Sequence, residues 1–186
     1  PASGRLHHQP DAGEESPRGL SRPVMTVRIR SATRADVARI LDLIRALAEY
    51  EKLSHECVAT EEALAATLFG ERPAAEVVMA ECDGETAGFA LFFPTYSTFL
   101  ARPGLYLEDL FVHPHLRGHG VGLALMRHLA GPAVARGYGR FERSVLDWDA
   151  PAIGSYRRLG AVPMDGWTVQ RLAGDALRAL AGDVDG

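Results

Sequence analysis

Leu105-Tyr106-Leu107-Glu108-Asp109-Leu110-Phe111-Val112 runs directly into His113-Pro114-His115-Leu116-Arg117-Gly118-His119-Gly120-Val121-Gly122, and this stretch decides how the chain is read. The first eight residues form an apolar strand with two carboxylates in its middle. A short turn bearing Arg and Gly follows and opens into an apolar helix from Val121 to Leu129. At such a junction the first N–H groups of the helix lack an intrahelical acceptor and stand at the positive end of its dipole. Glycines there let a ligand approach the main chain, which is chemistry for gripping a pyrophosphate. An ordinary strand–turn–helix link could use the same residues for tight packing alone. The apolar strand ending in Val112-His113-Pro114 supplies the context the phosphate mechanism needs.

Working outward, Glu76–Cys82 and Glu85–Phe93 are two strands around Asp83-Gly84, a hairpin turn signal. Pro94 to Gly104, with Tyr96, Thr98 and Phe99, is expected to be a loop. Further upstream, Thr26–Arg30 alternates like a half-buried strand, and Thr33 with Asp36 forms a capping box. Val37, Ile40, Leu41, Ile44 and Leu47 then recur at helical spacing up to about Glu49, and Thr60-Glu61-Glu62 starts a shorter helix through Leu68. Downstream, Gly131-Pro132 predicts a kink or restart, because an interior Pro costs about 3 kcal/mol. Gly139–Leu146 reads as a strand reached by a helical crossover, hence parallel to the central one. Asp149 caps a helix with Pro151 in its first turn and Ile153, Tyr156 and Leu159 on one face. Val162–Leu172 reads as a final strand pair holding Trp167, and Leu177 and Leu180 belong to a short C-terminal helix. The fold class is α/β, a mixed sheet with antiparallel N-terminal strands and parallel central ones.

The 186 residues and 47% hydrophobic content fit one domain with a sizeable core. Residues 1–24 lack an apolar pattern and read as a disordered tail in which His7-His8 is incidental; residues 25–182 form the domain. No apolar run reaches the roughly 20 residues that span a bilayer, and the N-terminus shows no secretory pattern. The formal charge of −4 argues against nucleic acid as the main partner. Two cysteines, Cys57 and Cys82, make no disulfide framework, so the whole reads as cytoplasmic. The spacing of His113, His115 and His119 invites a metal. No Cys or carboxylate stands at a usual ligand spacing beside them, so none is expected.

Arg-x-x-Gly-x-Gly at Arg117–Gly122 resembles the acyl-CoA loop of the GNAT superfamily of N-acetyltransferases. The likeness extends to Arg28–Thr33, Leu47–Leu53, Tyr106–Leu110 and Ala152–Ala161, and these runs together resemble one branch, the diamine (spermidine/spermine) and thialysine acetyltransferases. It implies a GNAT-type fold, with the parallel central strands splayed around CoA. It also implies that Leu110, Phe111, Val112, Arg117, Gly118, His119, Gly120, Val121, Gly122, Asp149 and Tyr156 meet acetyl-CoA. Tyr50, Glu51, Glu108 and Asp109 would line the amine site, with Asp165 and Trp167 reaching it in a homodimer. The resemblance further implies Tyr156 as general acid and Glu108 as the group acting on the amine through water. Three positions depart from the branch: Phe99 stands where Trp is usual, Asp149 where Asn is usual, and Gly131-Pro132 interrupts a helix that is usually continuous.

The residues themselves allow this chemistry. A lysine-like amine has a pKa near 10.4, so freeing its lone pair at pH 7 costs about 4–5 kcal/mol, and a carboxylate can accept the proton. Glu108 and Asp109 stand just upstream of the phosphate loop. Neighbours in a regular strand face opposite sides, so only a bulge would bring both to one face. Either could instead cap a local backbone group or pair with an Arg. Tyr156 could protonate a departing thiolate, or be a core tyrosine with a satisfied hydroxyl. No Cys or Ser is set up to carry the acyl group, which favours direct transfer.

The expected function is therefore acetyl transfer from acetyl-CoA to the primary amine of a small molecule, a thialysine or lysine analogue or a diamine. Acetylation of a protein lysine or N-terminus is the alternative, which the acidic Glu49–Glu62 loop disfavours by narrowing access. A non-catalytic CoA-sensing module would have no need of Glu108, Asp109 and Tyr156 together.

Overall fold

The computed structural model describes residues 25–182, so the disordered tail expected for residues 1–24 lies outside the described residues. The chain divides into two compact units, one ending at Glu142 and one beginning at Arg143.

The first unit is built on a five-stranded sheet in the order β1 (Val27–Ser31), β2 (Glu76–Cys82), β3 (Glu85–Ser97), β4 (Arg102–Val112), β5 (Phe141–Glu142). The first three pairings are antiparallel and β4–β5 is parallel. Asp83 and Gly84 both take positive φ, as a primed hairpin turn requires. The loop expected at Pro94–Gly104 is instead largely strand. Pairing continues from Pro94↔Leu105 to Ser97↔Arg102, so the ladder overrides the local turn signals and leaves only a four-residue tip.

Two apolar layers cover the sheet of this unit. On one face α3 (Val121–Ala135) sets Val121, Leu125, Leu129 and Ala133 against Val78, Ala90, Leu105 and Leu107. On the other, α1 (Val37–Tyr50) and α2 (Glu61–Phe69) set Ile40, Leu43, Leu47 and Leu68 against Met79, Phe89 and Phe111. Thr60 caps α2 by accepting the Ala63 N–H at 3.2 Å. The Thr33–Asp36 pair caps a single 3-10 turn that leads into α1, and Asp36 accepts the Thr33 N–H at 2.8 Å. Both Nη atoms of Arg30 also reach Asp36 at 2.8 Å, while its Nε reaches Glu81 at 2.6 Å. This bidentate pair, on a residue only 4% exposed, holds the Asp36 carboxyl well below the usual carboxylate range. The expected restart at Gly131-Pro132 is absent and α3 continues through it as one helix. Pro132 lacks the N–H that would bond the His128 carbonyl, yet its own carbonyl accepts the Arg136 N–H at 2.9 Å and the helix runs on to Ala135.

The strand expected at Gly139–Leu146 shrinks to Phe141–Glu142, parallel to β4 as anticipated. In the second unit, α4 (Ala150–Arg158) is capped by Asp149, which accepts the Ala152 N–H at 3.1 Å, and α5 (Gly174–Ala181) stands where the C-terminal helix was expected. The strand pair expected at Val162–Leu172 is not formed. Its residues are exposed throughout, and a strand without a ladder partner leaves its backbone groups to water. Among the described residues, no helix is long and apolar enough to cross a membrane.

Candidate active site

The geometry of the first unit begins with an irregularity in β4. Leu91 pairs with Asp109 while Phe92 pairs with Leu107, so Glu108 is an extra residue in the ladder. The alternation of faces reverses there. Leu105 and Leu107 before the bulge, and Leu110 and Val112 after it, all pack on the α3 side, whereas Phe111 packs on the α1 side. By that parity Glu108 (two after Tyr106) and Asp109 (two before Phe111) share the α1 side of the sheet. Glu108 is exposed and Asp109 half-buried. The parallel pairing of β4 covers only Leu105↔Phe141 and Tyr106↔Glu142, so among the described residues the strand from Leu107 onward is laddered to β3 alone.

The turn after β4 is shaped by two glycines. Gly118 and Gly120 take φ of +77° and +83°, and a Cβ at either would meet nothing within 4 Å, so the surface there is bare main chain. Gly120 is the N-cap of α3 and supplies no side-chain cap, which leaves the first amides of the helix without one. A Cβ at Gly122 would stand 4.0 Å from both Leu110 and Val112, so the helix start lies against the end of β4.

Arg117 does not extend from this turn into open space. Its Nε donates to the Val112 carbonyl at 2.9 Å, and its guanidinium carbon lies 4.8 Å from the centre of the Tyr50 ring and 5.6 Å from that of Phe111. The C-terminal end of α1, with Tyr50 and then Glu51, is thereby tied to the glycine turn. Such cation–π contacts contribute about 0.5–1 kcal/mol at exposed positions. The contact joins residues 67 positions apart in sequence, so no local pattern announces it.

His113 stacks on His115 and meets the edge of Phe111, and His115 Nε2 lies 3.6 Å from Glu85. No group of three metal-ligating side chains occurs among the described residues. Cys57 is half-buried near Ser54 and Glu49, and burial pushes the Cys82 thiol up. A cavity of about 330 Å³ at the Leu105 end of β4 is lined by Phe69, Val78, Phe92, Leu129 and their neighbours, and by none of the expected site residues.

In the second unit, Tyr156 is half-buried on α4 and its Oη accepts a hydrogen bond from Arg143 Nη1 at 2.6 Å. Sequence reasoning missed this arginine, which stands 13 residues away with no motif around it. Asp149 is 8% exposed, its carboxylate engaged as the α4 cap. Asp165 and Trp167 lie exposed beyond α4, Trp167 at 75%.

Comparison with known proteins gives this geometry a context. The Acetyltransferase (GNAT) family pattern matches residues 40–161. A thialysine N-epsilon-acetyltransferase of Mus musculus is 40% identical over 168 residues, covering 84% of this chain and 98% of that protein. An L-ornithine N5-acetyltransferase of Arabidopsis thaliana is 36% identical, covering 90% and 92% respectively. Among solved structures, an integron cassette protein from the mobile metagenome of V. cholerae superimposes with a TM-score of 0.72 at 26% identity, covering 85% of this chain and 99% of that one. A mixed sheet with a bulged fourth strand, a glycine turn and an uncapped helix start thus occurs here in a chain that matches one family over most of its length: the protein belongs to the acetyltransferase (GNAT) family, N-acetyltransferases that use acetyl-CoA.

Proposed function

We propose that the protein transfers acetyl directly from acetyl-CoA to a primary amine of a small cationic molecule of the thialysine, lysine-like or diamine kind. The observation that carries this reading is the β4 bulge, which gives Glu108 and Asp109 one common face of the sheet, on the strand that leads into the glycine turn. Two carboxylates there favour a cationic amine, and the relatives named for thialysine and ornithine act on amines of that chemistry.

The main chain from Arg117 to Gly122, with Leu110, Phe111 and Val112 from β4 and with Asp149 and Tyr156 from the second unit, would hold acetyl-CoA. The bare surface at Gly118 and Gly120 and the uncapped start of α3 suit a pyrophosphate. The bound thioester supplies an activated acetyl group. Glu108 takes the amine proton through water, Tyr50, Glu51 and Asp109 line the amine, and Tyr156 gives its proton to the departing thiolate. The domain is read as residues 25–182, since the family match crosses from one compact unit into the other. The protein is read as a cytoplasmic homodimer without a resident metal, with Asp165 and Trp167 contributing to the partner's amine site. Exposed Val162, Met164, Trp167, Val169 and Leu172 support an arm of this kind.

The test is thiol release from acetyl-CoA across thialysine, lysine, ornithine, spermidine, putrescine and aminoglycosides, with mass spectrometry of the products. Acetylated thialysine, ornithine or a diamine is expected. Turnover with peptides alone would replace the reading with protein acetylation.

A further inference from the structure

Arg143 opens the second unit, and its contact with Tyr156 lies wholly inside that unit. The guanidinium is fixed at two points, Nη1 on Tyr156 Oη at 2.6 Å and Nε on the Ser144 carbonyl at 2.9 Å. Its central carbon stands 5.1 Å from the centre of the Tyr156 ring. Both side chains belong to half-buried residues.

Hydrogen-bond inventory gives this contact a direction. A guanidinium has N–H donors and no acceptor, whereas a phenol has one proton and two lone pairs. With one lone pair held by Arg143, the phenolic proton cannot turn toward Arg143 and is left for another acceptor. The same short, charge-assisted contact places a cation on the oxygen that becomes negative once that proton departs.

We propose that Arg143 is a positioning residue for the reaction: it aims the Tyr156 proton and holds the phenolate formed when that proton leaves. The inference rests on the reading above of Tyr156 as proton donor to the thiolate. In the step concerned, the new C–N bond forms and the acetyl C–S bond breaks with its electron pair going to sulfur. The Tyr156 O–H proton moves to that sulfur, completing the thiol. Water returns a proton to the phenolate; of the two protons that leave the ammonium nitrogen, one replaces the proton taken from water and the other is released to solvent, so charge and atoms balance over the turnover.

The test is a kinetic cycle on the full chain with acetyl-CoA and thialysine, comparing the native protein with Tyr156→Phe, Arg143→Leu, Arg143→Lys and the double variant Tyr156→Phe/Arg143→Leu. Arg143→Leu is expected to lower kcat about tenfold, with the acetyl-CoA KM moving less than about twofold. Arg143→Lys, which keeps a cation and the stem, should recover most of that loss. The double variant should be no slower than Tyr156→Phe, since the arginine has nothing to act on without the phenol.

Additive losses in the double variant, a change confined to the acetyl-CoA KM, or a Lys variant as slow as the Leu variant would each overturn the proposal. A native protein inactive on every amine would fail the functional reading, and a Tyr156→Phe variant of native kcat would fail the proton-donor reading. In both of those cases the proposal falls with them, and each result differs from an additive cycle. Circular dichroism and CoA calorimetry on each variant separate loss of fold from loss of turnover, and the Lys variant carries the test should Arg143→Leu fail to fold.

Discussion

Glu108 is an exposed carboxylate between buried Leu107 and half-buried Asp109, and the bulge makes it the residue of β4 least bound to the ladder. Such a group is free to serve a substrate at little expense to stability. On the proposed mechanism, Glu108→Gln keeps the shape and removes the group assigned to accept the amine proton, and Tyr156→Phe removes the group assigned to donate one to the thiolate. Each should lower kcat about 10²-fold or more while CoA affinity by calorimetry stays within about threefold. Asp36 is the opposite kind of carboxylate, buried and committed to Arg30. Arg30→Gln should destabilise the protein by roughly 2–3 kcal/mol at pH 7, because it leaves a buried charge short of its partner. The Arg30 hydrogen bonds depress the Asp36 pKa in the folded state. That contribution is therefore fully present above the unfolded value near 3.9 and is lost as pH falls below it toward the depressed folded value. Urea titrations of the native protein and Asp36→Asn should accordingly differ most at neutral pH and converge below about pH 4.

At the scale of elements, the turn between β4 and α3 depends on two residues in the left-handed region. Gly120→Ala has room for its methyl group, so its penalty is conformational, about 1–2 kcal/mol. Any shift of the helix start to relieve it would re-aim the first amides of α3. The expected outcome is a rise in the acetyl-CoA KM of about tenfold with the amine KM little changed, measured by steady-state kinetics. The start of α4 depends on Asp149, whose carboxylate accepts the Ala152 N–H. Asp149→Ala should lower stability by about 1 kcal/mol in thermal or urea melts, and Asp149→Asn, which keeps an accepting oxygen, should lower it less. α3 runs through Pro132 without a break, with buried Ala133 beside it packed on the sheet side.

At the scale of the whole molecule, the segment after α4 carries Val162, Met164, Trp167, Val169, Leu172 and Leu180 at exposures from 54% to 79%. In the proposed homodimer such a run would gain by burial against a second copy, with the tryptophan as its anchor. Trp167→Ala should raise the dimer dissociation constant at least about tenfold in sedimentation or light scattering. Activity per chain should fall with dilution across the same concentration range. An unchanged sedimentation profile would remove the arm from the dimer reading.

The strand–turn–helix unit, the Asp83-Gly84 hairpin, the Thr60 and Asp149 caps and the parallel fifth strand were all legible in the sequence. Each is written in contacts a few residues apart or in the period of buried side chains, which pairing and helix geometry translate directly into structure. Three features were settled only by pairing and packing between segments. The β3–β4 ladder runs through Pro94 because the facing strand is there to receive it. The placement of Arg117 on Tyr50 and the common face of Glu108 and Asp109 also belong to tertiary structure. A stacking contact across 67 residues, and one extra residue in a ladder, are properties of register between strands and helices rather than of any single segment.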